Sequence, residues 1–530
     1  MNKIIKILIV GFLGLFISCK SDFMETKSTE TVDQSQMFET TEGAMMAING
    51  LHKLMYTPDL SSWYAQGGYQ TFMIWIDMMG EDLVYTRANA QFQSAAMWTL
   101  HRTPSSIHLD YHYQLFYKFI SNANMIINNI DNAIGTQEER NYIKGQALAY
   151  RAFAYFNLVQ CWGKRYDATG NNTQPGVIIR MDNSTDNRAR STVEEVYKQI
   201  NDDLDESISL LAQVKTEREN KSHINVYVAR GLKARVLLTQ GKWSEAAAMA
   251  KLVVDNSGAS LQADTYTTTN NRMSDQSNTE WLWGKKGQEE QAGTLKDFHS
   301  FMSNKNVSYN RNTPRAIYNL LYNKISDTDV RKGLWFPYAQ DPKVKPTPII
   351  PTKGYIRNYM ANKFLLTDEN AKCGDVPWMR LPEMILIEAE GYARSGEYVK
   401  AADVLYQLAH QRDPQYILST NTGEDLIEEI MIQRRIELWG EGFRFFDLKR
   451  LNMALDRGPK VRTELGYSDS PWNNNKVMPT NVDPEASNYN MYDGHPMGEE
   501  NRTRAVGSND WQWLFPNSEI NVNPLCEQNP

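Results

Sequence analysis

Residues 434–450 read RRIELWGEGFRFFDLKR, and this stretch decides the fold. Taken as a helix, it extends a stripe of Ile432, Ile436, Trp439, Phe443 and Phe446 at steps of four, three, four and three, which puts five large apolar side chains on one side. Its charges fall at helix-neighbour spacing, Arg434 with Glu437 and Glu441 with Arg444. Gly440 and Gly442 would each cost about 1 kcal/mol inside a helix relative to Ala. They mark either another backbone passing close or a break between two helices. So many aromatics among so many charges describe a buried or half-buried element whose ions are paired, because an unpaired buried charge is prohibitive.

Glu437 and Glu441 also invite a reading as a catalytic carboxylate pair. A general acid needs a raised pKa, whereas an arginine three residues away lowers it. The two glutamates are therefore read as salt-bridge partners that fix how the element docks.

The 530 residues are ample for a large core and would permit several domains. Hydrophobic residues make up 41% and charged residues 22%, as in an ordinary globular protein. The net charge is −7 with no long basic run, which argues against nucleic-acid binding, since phosphate neutralisation needs clustered Lys and Arg. Tyr (27) and Trp (13) are plentiful, and aromatic faces both fill cores and stack on sugars.

Residues 1–18 have the build of an export signal: Lys3 and Lys6, then an apolar run from Ile7 to Ile17 that is short for a membrane span. The run ends at Ser18-Cys19, which looks like a lipobox with Cys19 as the lipidated residue. Residues 19–40, polar and rich in Ser and Thr, read as a tether off the membrane. No other segment is long and apolar enough to span a bilayer, so the protein is expected to be anchored rather than embedded. Cys161, Cys373 and Cys526 form neither a disulfide framework nor a zinc site, and Cys161 falls in an apolar helical pattern.

Residues 41–530 are expected to form one mainly all-α domain with few short strands. A helix is predicted over 41–55, with Ala44, Ile48, Leu51 and Met55 on one face. A long irregular stretch, 57–107, holds Trp63, Tyr64, Tyr69, Trp75, Tyr85 and Trp98 together with Asp77, Glu81, Asp82, Arg87 and His101. Long helices follow at 108–133 and 137–162, the second closed by Gly163. Ser191 with Glu194 is a capping-box start for a helix to about residue 211.

Residues 225–254 and 380–409 form a repeat at an offset of 155: Ala234/Ala389, Leu237/Tyr392, Gly241/Gly396, Trp243/Tyr398 and Ala246/Ala401. Small residues that let two helices approach, with a glycine at the turn, are the spacing of tetratricopeptide-like hairpins. Hairpins are thus placed at 108–162, 191–254, 380–412 and 423–450. The loop-rich parts are 57–107, 257–378 and 451–530. In the second of these, Trp281 and Trp283 suit a short strand or a binding site, and a helix is predicted near 314–322. The prolines and charges of 325–378 carry Trp335, Phe336, Tyr338, Tyr355, Tyr359 and Trp378.

Five features in order resemble the SusD/RagB family of outer-membrane nutrient-binding lipoproteins. They are the lipobox, the ALAYRAFAYFNLVQCWG helix, the repeat, the Arg434–Arg450 match to RxxELxxEGxRxxDLxR, and a C-terminus similar to IPxxEIxxNPxLxQNP. The resemblance implies a surface lipoprotein with tetratricopeptide-like hairpins on one face and irregular loops on the other. It further implies a partner, a SusC-like TonB-dependent transporter, to which captured oligosaccharides are delivered, and no cofactor. The family motifs mark scaffold, so ligand-contact candidates come from the loops: Trp98 with Tyr85, Arg87 and His101, then Trp335 and Tyr338.

Two other functions compete. A glycosidase needs two carboxylates facing a cleft, for which Asp77, Glu81 and Asp82 are the nearest group. His108 and His112 have the spacing of two metal ligands on a helix, yet no third ligand or HExxH pattern accompanies them. A scaffold or peptide-binding lipoprotein of the same fold would bind partners and no glycan.

Overall fold

A computed structural model describes residues 37–58, 60, 63–85, 91–263, 265–266, 272–291, 295–303, 309–310, 313–335, 359–366, 371, 373–457 and 503–530. Helix α1 (Thr41–Leu54) starts at Thr40, whose hydroxyl accepts from the Gly43 N–H at 3.2 Å, and buries the predicted face of Ala44, Ile48 and Leu51. Helices α2 (Tyr69–Met79), α3 (Ile107–Asn129) and α4 (Gln137–Trp162) follow. A Thr136–Glu139 capping box starts α4, which is buried from Gly145 onward.

The irregular stretch 57–107 is thus interrupted by a helix that the sequence conceals. All eleven residues of α2 are buried. An element buried all round, with Gln70, Thr71 and Asp77 as well as its apolar residues inside, has no amphipathic period to read.

Helix α5 (Val193–Leu211) starts one residue later than predicted, with Thr192 and Glu195 as the capping box. The Thr192 hydroxyl accepts from the Glu195 N–H at 3.2 Å, and the Glu195 carboxylate accepts from the Thr192 N–H at 2.7 Å. Gly163 ends α4 with extended backbone (φ −83°), not in the left-handed form. A side chain there would collide with the Val159 carbonyl at 2.7 Å, so glycine is needed for space.

The repeat is real. Helices α6 (Val226–Thr239) and α7 (Trp243–Asn256) form one hairpin, and α8 (Leu381–Arg394) and α9 (Tyr398–Arg412) the other. Gly241 and Gly396 turn at φ +72° and +82°, and Ala234, Ala246, Ala389 and Ala401 are all wholly buried. Helices α3 to α8 pack in succession, so α7 lies directly on α8 although residues 257–380 intervene. The approach is close: a Cβ on Gly391 would sit 2.6 Å from the Trp243 carbonyl oxygen.

The stretch that opened the sequence analysis breaks rather than running as one helix. Helix α10 (Gly423–Glu437) ends, Gly440 and Gly442 adopt φ +79° and +86°, and α11 (Arg444–Arg450) begins. A Cβ on Gly442 would lie 3.0 Å from Met73 Cα, so close backbone approach also holds. The expected 423–450 hairpin is replaced by divergence: α10 packs on α8 and α9, whereas the principal neighbour of α11 is α2. The Asp77 carboxylate of α2 accepts from the N–H groups of Gly442 (2.9 Å), Phe443 (2.9 Å) and Arg444 (3.1 Å), capping α11 from another helix.

The strands pair in twos, all antiparallel: β1 (Leu83–Tyr85) with β3 (Arg315–Ile317), β2 (Trp281–Lys285) with β4 (Val376–Arg380), and β5 (Leu455–Asp456) with β6 (Thr503–Arg504). The helix predicted near 314–322 is therefore a strand followed by one helical turn, Asn319–Tyr322. Cys161, Cys373 and Cys526 are buried and free. Among the described residues, no helix is long and apolar enough to cross a membrane.

Candidate functional site

The charged side chains of 434–450 hold the fold together. Glu437 meets Arg331 at 3.2 Å and both Arg380 and Arg412 at 3.1 Å. Glu280 takes Arg380 at 3.2 Å and Arg412 at 2.8 Å. Glu441 takes Arg380 and Lys363 at 2.7 Å each, and Asp329 takes Arg331 at 2.6 Å. Four carboxylates and four cations, all buried, balance in one network. Burial pushes Glu437 and Glu441 upward, but the arginines around Glu437, and Arg380 with Lys363 around Glu441, outweigh it and hold both below the usual carboxylate range.

The neighbours expected from helix spacing are not the partners, because the helix breaks between them. Arg434 pairs with Asp447 at 2.8 Å, Arg435 with Asp82 at 2.5 Å, and Arg444 with Glu81. Lys449 has a different role: its Nζ donates to the carbonyls of Gln160 (2.6 Å), Gly163 (2.8 Å) and Trp511 (2.6 Å), closing the end of α4 against the C-terminal segment. Burial pulls its pKa down to about 7.

The aromatic candidates require correction. A stacking platform must show a ring face, and Trp98 (2% exposed), Tyr85 (4%), His101 (0%) and Trp335 (0%) show none. Trp98 donates its indole N–H to the Met79 carbonyl at 2.8 Å and meets Trp511 edge-on at 4.8 Å. His101 bonds the Asp510 carbonyl at 2.8 Å, and burial lowers its pKa to about 3. Trp335 packs edge-on against Trp439 at 5.7 Å. Arg87 and Tyr338 lie outside the described residues.

Two of these residues nevertheless come together around a group the sequence did not mark. The β1–β3 register sets Tyr85 opposite Arg315. The Arg315 carbonyl accepts from the Ala361 N–H at 2.7 Å, and Ala361 bridges to Trp335. Arg315 is wholly buried, with its guanidinium 5.4 Å from the Phe92 ring centre, and burial pulls its pKa down to about 10. Nothing in Thr-Pro-Arg-Ala distinguishes this arginine from an exposed one.

Exposed aromatic surface lies earlier, at Trp63 (59% exposed) and Tyr64 (49%). The residues that follow are firmly held. Ala65 N–H donates to the Leu295 carbonyl at 3.1 Å and its carbonyl accepts from Trp75 Nε1 at 3.0 Å. Gln66 Nε2 donates to the Ile107 carbonyl at 3.1 Å, and Gly68 N–H to the Tyr111 hydroxyl at 2.7 Å. Ala65 adopts φ +59°, a strained turn that sets the two rings at the surface. The signal available in the sequence is the polar setting: Ser-Ser precedes the two aromatics and Ala-Gln-Gly follows them.

The carboxylates considered for hydrolysis are occupied, Asp77 by the three N–H groups of α11, Glu81 by Arg444 and Asp82 by Arg435. His108 Nδ1 bonds Gln66 Nε2 at 3.0 Å, and the His112 ring is sealed against Phe72 and Trp75. Among the described residues, no group of three or more His, Cys, Asp or Glu is placed to hold a metal ion.

Comparison with known proteins extends over nearly the whole chain. The model of a family described as the SusD family matches residues 162–530, and one described as starch-binding associating with outer membrane matches 62–238. A SusD-like protein of Formosa agariphila is 21% identical over 508 residues, covering 86% of this chain and 92% of its own. A SusD-like carbohydrate binding protein from Bacteroides vulgatus superposes with a TM-score of 0.75 at 24% identity, over 92% of this chain and 97% of its own. Surface glycan-binding protein A from Bacteroides thetaiotaomicron, solved with laminarihexaose, gives 0.65 at 17% identity, over 92% and 99%. These structural likenesses show the fold.

Proposed function

We propose that this chain, which belongs to the SusD family, captures oligosaccharides at the cell surface and delivers them to a SusC-like TonB-dependent transporter in the outer membrane. Residues 1–18 direct export, Cys19 carries the lipid, 19–40 form the tether, and 41–530 act as one binding domain facing the cell exterior. The protein binds its ligand without cleaving it.

The observation that carries this function is the Trp63–Tyr64 pair, exposed on a turn fixed by the bonds of Ala65, Gln66 and Gly68. Sugar rings present apolar C–H faces, and an aromatic held rigid before binding loses little freedom on stacking. The non-catalytic role is supported by the signature carboxylates, all committed to buried ion pairs with depressed pKa values, the reverse of what a general acid requires. The glycan bound by the Bacteroides thetaiotaomicron relative is consistent with this class of ligand.

Native gels containing plant, host and microbial polysaccharides test capture, with the same mixtures assayed for released sugar. Retardation of the lipid-free protein without cleavage is the expected result. Cleavage would make it an enzyme. No retardation by any glycan would favour the scaffold or peptide-binding function, and co-purification of the lipidated protein with its transporter tests delivery.

A further inference from the structure

We infer that the captured ligand is acidic, carrying a carboxylate or a sulfate ester, and that Arg315 receives this group. This deepens the capture function and rests on it.

The other buried arginines define the contrast. Arg151 is held by Asp203 at 2.6 Å, Arg235 by Glu383 at 2.5 Å, and the arginines of the central network by its four carboxylates. Arg457 donates to the carbonyls that end α2, including Gly80 at 3.0 Å. Arg315 has neither arrangement. Its Nη2 donates to the Gln91 carbonyl at 3.0 Å, while Nε and Nη1 have no acceptor among the described residues. Three of its five N–H donors are thus open in a position with no exposed surface.

A cation held from water without a counter-charge is strongly disfavoured. Among the described residues the other buried arginines meet a carboxylate or several carbonyls, whereas Arg315 meets the Gln91 carbonyl alone, at a cost that an incoming anion would remove. The guanidinium plane matches carboxylate and sulfate oxygens, and charge-assisted hydrogen bonds strengthen in such a dry setting. Phe92 supports one face.

Arg315 lies one layer below the surface. Gln91 and Tyr309 are half-buried, and the Gln91 N–H donates to the Tyr309 hydroxyl at 2.5 Å.

The test is calorimetric titration of the lipid-free protein at low and moderate salt with four probes: polygalacturonate, a sulfated galactan, the same galactan after desulfation, and a neutral galactan. One acidic probe should bind at least tenfold more tightly than its neutral counterpart, and which one does so distinguishes carboxylate from sulfate. R315M should erase that preference and R315K keep part of it. R315M should also leave the melting temperature unchanged or raise it, because it removes an uncompensated charge. Equal binding of acidic and neutral probes overturns the inference while leaving capture intact. So does a melting temperature several degrees lower in R315M, which would show that the charge is satisfied internally. Failure of every probe, neutral and acidic alike, overturns capture and this inference with it.

Discussion

Arg380 and Glu437 stand 57 positions apart in the sequence and meet at 3.1 Å with no exposed surface on either side chain. Glu437 also anchors Arg331 and Arg412. Truncating it leaves three carboxylates to balance four buried cations. Glu437→Ala should therefore cost about 3–5 kcal/mol by urea unfolding, the range found when one partner of a buried pair is removed. Glu437→Gln keeps the shape and should lose less.

Acid should unfold the protein through the same stretch. Burial raises the Asp447 pKa, but Arg434 and Arg450 overcome it and bring it down to about 2, from an ordinary 3.8. A folded-state pKa below the unfolded one gives stability that is fully present above about pH 4 and is lost as pH falls toward 2. Glu437 and Glu441 act in the same direction. Denaturation midpoints from pH 7 to pH 2 should fall across this window, and Asp447→Asn should start lower and fall less steeply.

Lys449→Met should loosen the junction between α4 and the C-terminal segment. It leaves the carbonyls of Gln160, Gly163 and Trp511 without their shared donor. An unsatisfied buried polar group costs roughly 1–3 kcal/mol. Hydrogen exchange should quicken first at Trp513, whose N–H donates to the Cys161 carbonyl at 2.9 Å.

Trp63→Ala and Trp98→Ala should behave as opposites. Trp63 is 59% exposed, so its loss should weaken glycan binding about tenfold and leave the melting temperature nearly unchanged. Trp98 is 2% exposed and packed against Trp511 and Phe445, so its loss should destabilise the protein by about 3–5 kcal/mol. Gel retardation and thermal unfolding, run on both variants, separate the two roles.

The helical scaffold was legible because its signals are local. The stripe on α1, the capping box before α5 (read one residue early) and the alanines and turn glycine within each repeat unit are each set by residues close together in the chain. Helix α2 was hidden because Tyr69 to Met79 is buried on every side. Trp98 was misread because residue type tells nothing of which side of a loop faces inward. Only the fold brings Phe445 and Trp511 against it. The partners of Glu437 were equally out of reach, since Arg331, Arg380 and Arg412 arrive from separate segments.

The contact of α7 with α8 joins two hairpins that lie far apart in the sequence. Gly391 and Trp243 hold the two hairpins in register, so residues 257–380 form an excursion that leaves the stack and returns to the same joint. Closing a flexible excursion costs only about 0.6 kcal/mol more for each doubling of its length. The excursion is nevertheless fastened inside: Arg331, Lys363 and Arg380 lie in it and pair with Glu437 and Glu441. Stack and excursion are thus joined twice, at the α7–α8 contact and at the buried ion pairs, and the segment between the two hairpins serves as part of the scaffold.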